Sequence, residues 1–550
     1  MFVRVKKSGN YQYLQIVENR RENGKTKQRV ISTIGRLDRL QAKGEIESLI
    51  RSLSRFSEKA LMILSGKSAP YVQSVTLGPV LIFERLWKET GIKAILQDLL
   101  RNRKFQFDVE RAIFLTVFHR LLVSGSDRFC YDWRLEYKIG GMDGLSLHQL
   151  YRAMAFLGEE LTDQKDALPF SPRRTKDTIE EFLFLSGRHL FSELELVFFD
   201  TTSIYFEGQG GESLGKYGHS KDHRSDLKQM IVGAVLDGKG CPICCEMWPG
   251  NTADVKALIP LVKRLKTRFQ IQRLCIVSDR GMISKNVLTW LESTENDMEY
   301  ILGVRMRNVK DVREEVLSTG GRYHRVFPER KTTKDPSPLK VKEVRLNDHR
   351  YIVCLNPAQA RKDKTDREAI LLSLEEKLKQ GAKSMVGNKG YRKYLKAGEN
   401  SFSIDRTKAA YEERFDGKWV LQTNTNLSAK DVALKYKELW TVEHLFRDVK
   451  SLLDTRPIYH QRDDTIVGHV FCSFLALVLL KELERRLEQN GYHFEWNTIK
   501  LDLKALKEVV IEENNTKFAV RTACQGICGK IFRSVGVALP PTIREYHKKK

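Results

Sequence analysis

Between residues 191 and 305 short apolar runs alternate with helical periodicities, and this pattern restricts the fold more than any other feature of the chain. Leu194 to Phe199 is apolar apart from Glu195, and it leads into Asp200. Gln229 to Leu236 and Pro242 to Trp248 read as two more strands, joined at an Asp237-Gly238 turn. Val255 to Phe269 repeats its apolar residues at three- and four-residue steps, which predicts a helix. Leu274-Cys275-Ile276-Val277 is again strand-like, residues 284–293 helical, and Tyr300 to Val304 a fifth strand. Strand-strand-strand-helix-strand-helix-strand predicts a mixed sheet flanked by helices, an α/β fold.

The flanks are of a different kind. At about 150 residues per domain, 550 residues predict about three to four domains. Residues 1–40 alternate like short strands, with Glu22-Asn23-Gly24 as a hairpin signal, and residues 1–60 hold 14 Lys+Arg against 6 Asp+Glu. This basic β-rich element is suited to touching phosphates. From 41 to 190 the pattern turns helical, with helices expected at 79–100, at 109–123 behind an Asp108 cap, at 146–157 and at 174–190. Residues 306–415 interrupt the α/β texture with a basic, β-rich insertion carrying interspersed tyrosines, as in Tyr391-Arg-Lys-Tyr394. Cations there can hold phosphates while aromatic faces stack bases. Sheet texture returns at Trp419 to Asn424 and is followed by one long helix from about 429 to 453, within a second core part, 416–490. A C-terminal helical region, 491–550, is left for dimerisation.

Composition narrows the partner. A net charge of +24 suits a polyanion, and it repels itself within a compact body. No run reaches the roughly 18–20 apolar residues of a membrane span, and Val470 to Leu480 reads as a core helix. The N-terminal residues have no apolar signal region, so a cytoplasmic location is expected. Nine cysteines, an odd number, argue against a disulfide framework. Cys241-Pro-Ile-Cys244-Cys245 and the Cys524/Cys528 pair read as ordinary buried thiols rather than zinc sites.

Asp200 and Asp279 stand at the ends of apolar strands, the rim where open α/β sheets place ligands. Their oxygens suit a hard cation such as Mg²⁺ or an acid/base pair. In the long helix Tyr436, Glu443 and Lys450 are spaced by seven and share a face, with Arg447 four beyond Glu443. An acid flanked by a phenol and two cations can ligate a metal while the cations hold phosphate. Taken alone, the same helix also reads as a surface helix with Glu–Arg and Glu–Lys support.

Taken together, these residues resemble bacterial insertion-sequence transposases of the DDE type, with an RNase H-like catalytic core. The likeness is to the branch with a β-rich insertion before the Glu and a Tyr-x2-Arg-x3-Glu-x6-Lys helix. It is carried by Val197-Phe-Phe-Asp200-Thr-Thr-Ser-Ile-Tyr-Phe, Gly218-His-Ser-Lys-Asp-His-Arg224, Val277-Ser-Asp279-Arg-Gly, and Tyr436 through Lys450. Arg456-Pro457-Ile-Tyr-His460 and Gly468-His469 continue it. The resemblance implies that Asp200, Asp279 and Glu443 form a catalytic triad holding two Mg²⁺ ions, with Mn²⁺ as substitute. It maps Tyr436 and Lys450 to DNA contacts near the scissile phosphate. It implies double-stranded DNA as partner (transposon ends and target) and a homodimer holding two ends, acting at the nucleoid. The chain departs from the pattern at Leu439, where the family has Arg, and Arg447 is the substitute the helical spacing offers.

Other residues fit less specifically. Lys221, His223 and Arg224 lie in a Gly-rich loop, and Lys221 and Arg224 join Arg280 as candidate DNA contacts. Gly215-Lys216 is no P-loop, because Tyr217 replaces the Ser or Thr that motif needs. His460 and His469 read as structural histidines, and Glu207, Asp226 and Asp254 as reserve carboxylates. A catalytically inactive or nuclease-only RNase H-like DNA-binding relative accounts for the same residues as an alternative.

Overall fold

The structure, a computed structural model, describes residues 1–22, 25–54, 71–123, 125–168, 171–187, 195–271, 274–293, 298–328, 336–379, 393–397, 402–447, 455–513 and 516–546. Lys450 and the Asn23-Gly24 turn lie outside these residues, as does part of the Tyr391–Tyr394 stretch. The chain forms two compact units. One comprises Met1–Ser74, Glu508–Arg521 and Pro541–Lys550, and the other Val75–Lys507 and Thr522–Pro540.

The first unit opens with an antiparallel meander, β1 (Phe2–Ser8), β2 (Tyr11–Glu22) and β3 (Lys25–Arg36). Bulges opposite Leu14–Gln15 and Ile16–Val17 interrupt the β2–β3 register. Two short helices, Leu37–Ala42 and Glu45–Ser54, follow, and then β4 (Tyr71–Thr76).

The second unit is built on β5 (Glu195–Tyr205), β6 (Gln229–Asp237), β7 (Pro242–Pro249), β8 (Leu274–Ser278) and β9 (Glu299–Val304). In the sheet these run β9-β8-β5-β6-β7, with β5, β8 and β9 parallel and β6 antiparallel to its neighbours. That order is the RNase H-like core the sequence pattern resembles. Over the stretches where they pair in parallel these strands are mostly apolar, because both faces are covered. Phe198, Val277 and Ile301 enter one core, whereas Val197, Phe199, Ile276 and Leu302 enter another, with helices Asp254–Phe269 and Lys285–Glu292 packed over the latter.

Residues 306–415 differ in form from a separate insertion. Their strands β10 (His324–Phe327), β11 (Leu339–Leu346) and β12 (His349–Leu355) extend the same sheet, which closes onto β9 through β15 (Lys418–Thr423) in the order β10-β11-β12-β15-β9. Beyond them the segment holds a 23-residue helix, Pro357–Lys379, a helix Arg406–Glu413 and a short hairpin, β13 (Leu395–Ala397) and β14 (Phe402–Ile404). The C-terminal region, expected to be helical, carries strands as well. There β16 (Lys507–Glu513), β17 (Thr516–Arg521) and β18 (Ile543–Tyr546) form a sheet with β4.

The helical layer follows the apolar periodicity with one break. Residues 79–100, expected as one helix, form Gly78–Glu89 and Ile92–Leu100, parted at Gly91, whose φ is +86°. Val109–Leu122 starts where Asp108 accepts a hydrogen bond from the Arg111 amide, satisfying a donor of the first turn. Asp463–Gln489 is long and apolar enough to span a membrane, yet 83% of its most apolar window is buried inside the fold. It crosses the Leu147–Gly158 helix at Gly468, where a Cβ would lie 1.9 Å from the Met154 carbonyl oxygen, so only glycine permits that approach. The cysteines form no disulfide among the described residues, and seven of them are buried.

Candidate active site

Parallel pairing of β5 with β8 brings the two aspartates together. The register ends at Phe199 opposite Ser278, so Asp200 and Asp279 are the next residues on neighbouring strands, which lie about 4.8 Å apart. The expectation that Asp200 ends its strand is corrected here. β5 runs on through Thr201, Thr202 and Ser203 to Tyr205, paired with β6, because this polar stretch is buried against its neighbours. Asp200 therefore sits mid-strand, at the point where its parallel partner stops.

Glu443 comes from a helix of its own. The long helix expected over 429–453 is two, Ala429–Lys437 and Trp440–Arg447, parted at Glu438–Leu439. The Thr441 amide and hydroxyl both donate to the Glu438 carbonyl, which turns the chain there. Leu439, Val442 and Phe446 are buried, and the second helix packs across β5 and β6 with Glu443 exposed on its other side. Tyr436 and Glu443 thus do not share one helix face, although they meet in space.

Asp200, Asp279, Glu443, Tyr436 and Arg280 line one cavity of about 420 Å³, together with Lys418, Lys437, Leu439 and Trp440. The Tyr436 hydroxyl donates to Asp279 Oδ1 at 3.0 Å. Burial first, and then the Asp279 carboxylate, raise the affinity of that hydroxyl for its proton, so it remains a donor. Its approach depends on Gly303 of β9, where a Cβ would stand 2.3 Å from the Tyr436 oxygen. Asp200 Oδ1 accepts from the Thr201 amide at 2.7 Å.

The cationic residues divide. Lys221 Nζ donates to the carbonyl and the hydroxyl of Thr201, at 2.7 and 2.8 Å, which places its ammonium one residue from Asp200. Arg224 turns instead to Asp226, at 2.9 Å, and over the Tyr205 ring. Arg447 is exposed and does not line the cavity. The sequence reading passed over Lys418, which precedes the strand residues Trp419 and Val420, and Lys437, which ends the Tyr436 helix. Nothing in local spacing marks either, since the sheet pairing brings β15 beside β9. Glu207 makes a backbone contact with Ile458, and the side chain of Asp254 lies outside the described residues.

Elsewhere in the unit, Asp127, His460 and His469 place ligand-type atoms within 4.8 Å of one another. Arg120 occupies this cluster, at 3.5 Å from Asp127 and 2.9 Å from His469 Nδ1. The guanidinium neutralises the carboxylate and takes up a histidine nitrogen, so the group is a buried polar knot. Burial, then the neighbouring Arg120, lower the His469 pKa to about 4.

The family described as the transposase DDE domain matches residues 192–479. The N-terminal domain of the IS1634 family of transposases matches residues 3–67. No curated protein matches the chain. A solved structure of a piggyBac transposase synaptic complex with hairpin DNA is 11% identical, covering 78% of this chain and 79% of that one with a TM-score of 0.39.

Proposed function

Since the chain belongs to the DDE transposases of insertion sequences, we propose that it cuts DNA at its element's ends and joins each freed 3′-OH to target DNA. The family implies DNA binding and divalent-metal use in general, and the proposal assigns both to the cavity described above. What carries it is a single observation: carboxylates from β5, the end of β8 and a separate helix open into one cavity beside three cations.

The donor set fits the metal. Three carboxylates supply hard oxygen ligands, and neither thiol nor imidazole lines the cavity among the described residues, which favours Mg²⁺ with Mn²⁺ as substitute. Bound there, two such ions supply activation of the attacking oxygen and stabilisation of the leaving one. Asp200, on the central strand, would hold the metal together with Asp279 and Glu443. The Thr201 amide and the Tyr436 hydroxyl each fix one carboxylate oxygen, so the ligands are oriented before DNA arrives. Arg280, Lys418 and Lys437 draw the phosphate backbone in, and these take the place of Arg447 in the proposal.

The chemistry is two in-line displacements. Water attacks phosphorus at the element's end, a P–O bond forms, the P–O3′ bond breaks, and the released oxygen takes a proton to become the 3′-OH. That oxygen then attacks a target phosphodiester, giving up its proton as the target's own 3′ oxygen leaves and takes one. No covalent enzyme intermediate is needed. We place the reaction in the cytoplasm, at the nucleoid, in a homodimer that holds two ends. The test incubates labelled end DNA with Mg²⁺, Mn²⁺ or EDTA, beside a Glu443→Gln variant. Metal-dependent nicks and joined products that vanish in the variant support the proposal. Binding without cleavage in either metal sinks it in favour of an inactive relative.

A further inference from the structure

We infer that the Arg4 face of the β1-β2-β3 sheet reads duplex DNA through the major groove, with Arg4 held in place to recognise a guanine. The inference rests on the DNA-binding reading above and adds a surface to it. Arg4 stands opposite Gln15 in the β1–β2 register, and Gln28 lies opposite Asn19 in β2–β3. The guanidinium donates to Gln15 Oε1 from Nε at 3.4 Å and Nη2 at 3.2 Å, and to Gln28 Oε1 from Nη1 at 2.6 Å. Gln15 is fixed in turn by donating to Thr33 Oγ1 at 3.0 Å.

Gln15 and Asn19, the residue opposite Gln28, flank Val17 on β2, which is fully buried. The partners of Arg4 are amide oxygens rather than carboxylates. The acid nearest in register, Glu18, pairs instead with Arg29 at 3.8 Å, so the Arg4 charge stays available to an anion.

Three of five guanidinium N–H groups are thereby committed, and one N–H remains on each terminal nitrogen. A donor left on each terminal nitrogen, with no acceptor, suits the O6 and N7 acceptor pair that guanine shows in the major groove. The dimensions agree as well. Three strands span about 10 Å between the outer two, against a groove about 12 Å wide. Residues 1–36 carry nine Lys+Arg against two Asp+Glu, and Lys6 lies on the Arg4 face opposite Tyr13. Such a surplus supplies the phosphate contacts that position a reader without specifying sequence.

The experiment uses the full chain, a duplex carrying its element's end, and a shuffled duplex of equal length. Guanine N7 is methylated to find bases whose modification blocks binding. Interference is expected at one guanine or more in the end duplex. Arg4→Lys, which keeps charge and stem but not the fork, is expected to abolish it. Preference for the end over the shuffled duplex is expected to fall about five- to a hundred-fold, with binding to the shuffled duplex nearly unchanged. Arg4→Ala should show the same loss of interference. Interference that survives Arg4→Lys, or none in the unaltered chain, overturns the inference, while metal-dependent nicking of the same duplex by the unaltered chain would leave the transposase reading standing. A chain that neither binds nor nicks overturns both.

Discussion

Gly303 offers the sharpest test of how the site is held. A methyl group added there would lie 2.3 Å from the Tyr436 hydroxyl oxygen, 3.0 Å from its ring carbon Cζ and 3.1 Å from the Arg280 amide nitrogen. Tyr436 must then withdraw, and its 3.0 Å bond to Asp279 breaks. A hydrogen bond to a charged group contributes about 1.5–3 kcal/mol, and the lower end applies because Asp279 is exposed. About 1.4 kcal/mol of lost orientation is a factor of ten in rate. Gly303→Ala is therefore expected to slow single-turnover nicking about ten-fold or more. Tyr436→Phe removes the same bond and should cost a similar factor. The decisive measurement is the double variant. Since both changes act through one contact, its rate should match the slower single variant, a coupling of about 1.4 kcal/mol in a double-mutant cycle. Penalties that simply multiply, or a Gly303→Ala enzyme as fast as the parent, would refute the reasoning.

Three further outcomes are expected. Lys437→Ala should weaken binding of end DNA and reduce the salt slope by about one, whereas Arg447→Ala, outside the cavity, should leave both nearly unchanged when titrated against salt. His119 and His469 have folded pKa values lowered to about 4 from 6.5, chiefly by burial. The unfolded chain therefore binds more protons between these values, so stability is complete above about pH 6.5 and falls towards pH 4, by up to about 3 kcal/mol per histidine. Melting temperatures from pH 7.5 to 4.5 should show this, with a flatter profile for His469→Gln, and identical profiles would refute it. Arg268, fully buried, bonds Glu180, Glu181 and Glu246 and lies 3.2 Å from Asp177. Arg268→Met leaves those acids short of a cation, and a loss of about 3–5 kcal/mol is expected in denaturant melts.

The core was legible because its strands are buried on both faces. Continuous apolar runs such as Phe198–Phe199 and Cys275-Ile276-Val277 announce parallel strands in a way no tertiary contact has to supply. The course of β5 past Asp200 was not legible. Thr201, Thr202 and Ser203 read as the start of a loop, and only pairing with Ile231–Gly233, about thirty residues away, makes them strand. The same holds for β11 and β12: the β-rich character of 306–415 was readable, while the addition of these strands to the main sheet through β15 was not. Periodicity also carried the 429–453 segment too far. A seven-residue spacing promises a shared face only while the helix continues, and the bonds from Thr441 to the Glu438 carbonyl end it.

Leu439 shows how the cavity keeps a cationic lining without the arginine that the sequence resemblance leads one to expect there. With Val442 and Phe446 it forms the buried side of the Trp440–Arg447 region, and it is only 8% exposed. A guanidinium at that position would leave water without a carboxylate pledged to it, a cost of several kcal/mol. The cavity instead receives its positive charge from Arg280 beside Asp279, from Lys418 at the start of β15 and from Lys437 at the end of the preceding helix. Each of these stands on an element already fixed by the sheet or packed against it. If Leu439→Arg raised end binding while Lys437→Ala left it unchanged, this distribution of charge would be wrong. The expected result is the reverse: Leu439→Arg lowers the melting temperature without tightening binding, because the arginine replaces packing rather than filling a gap.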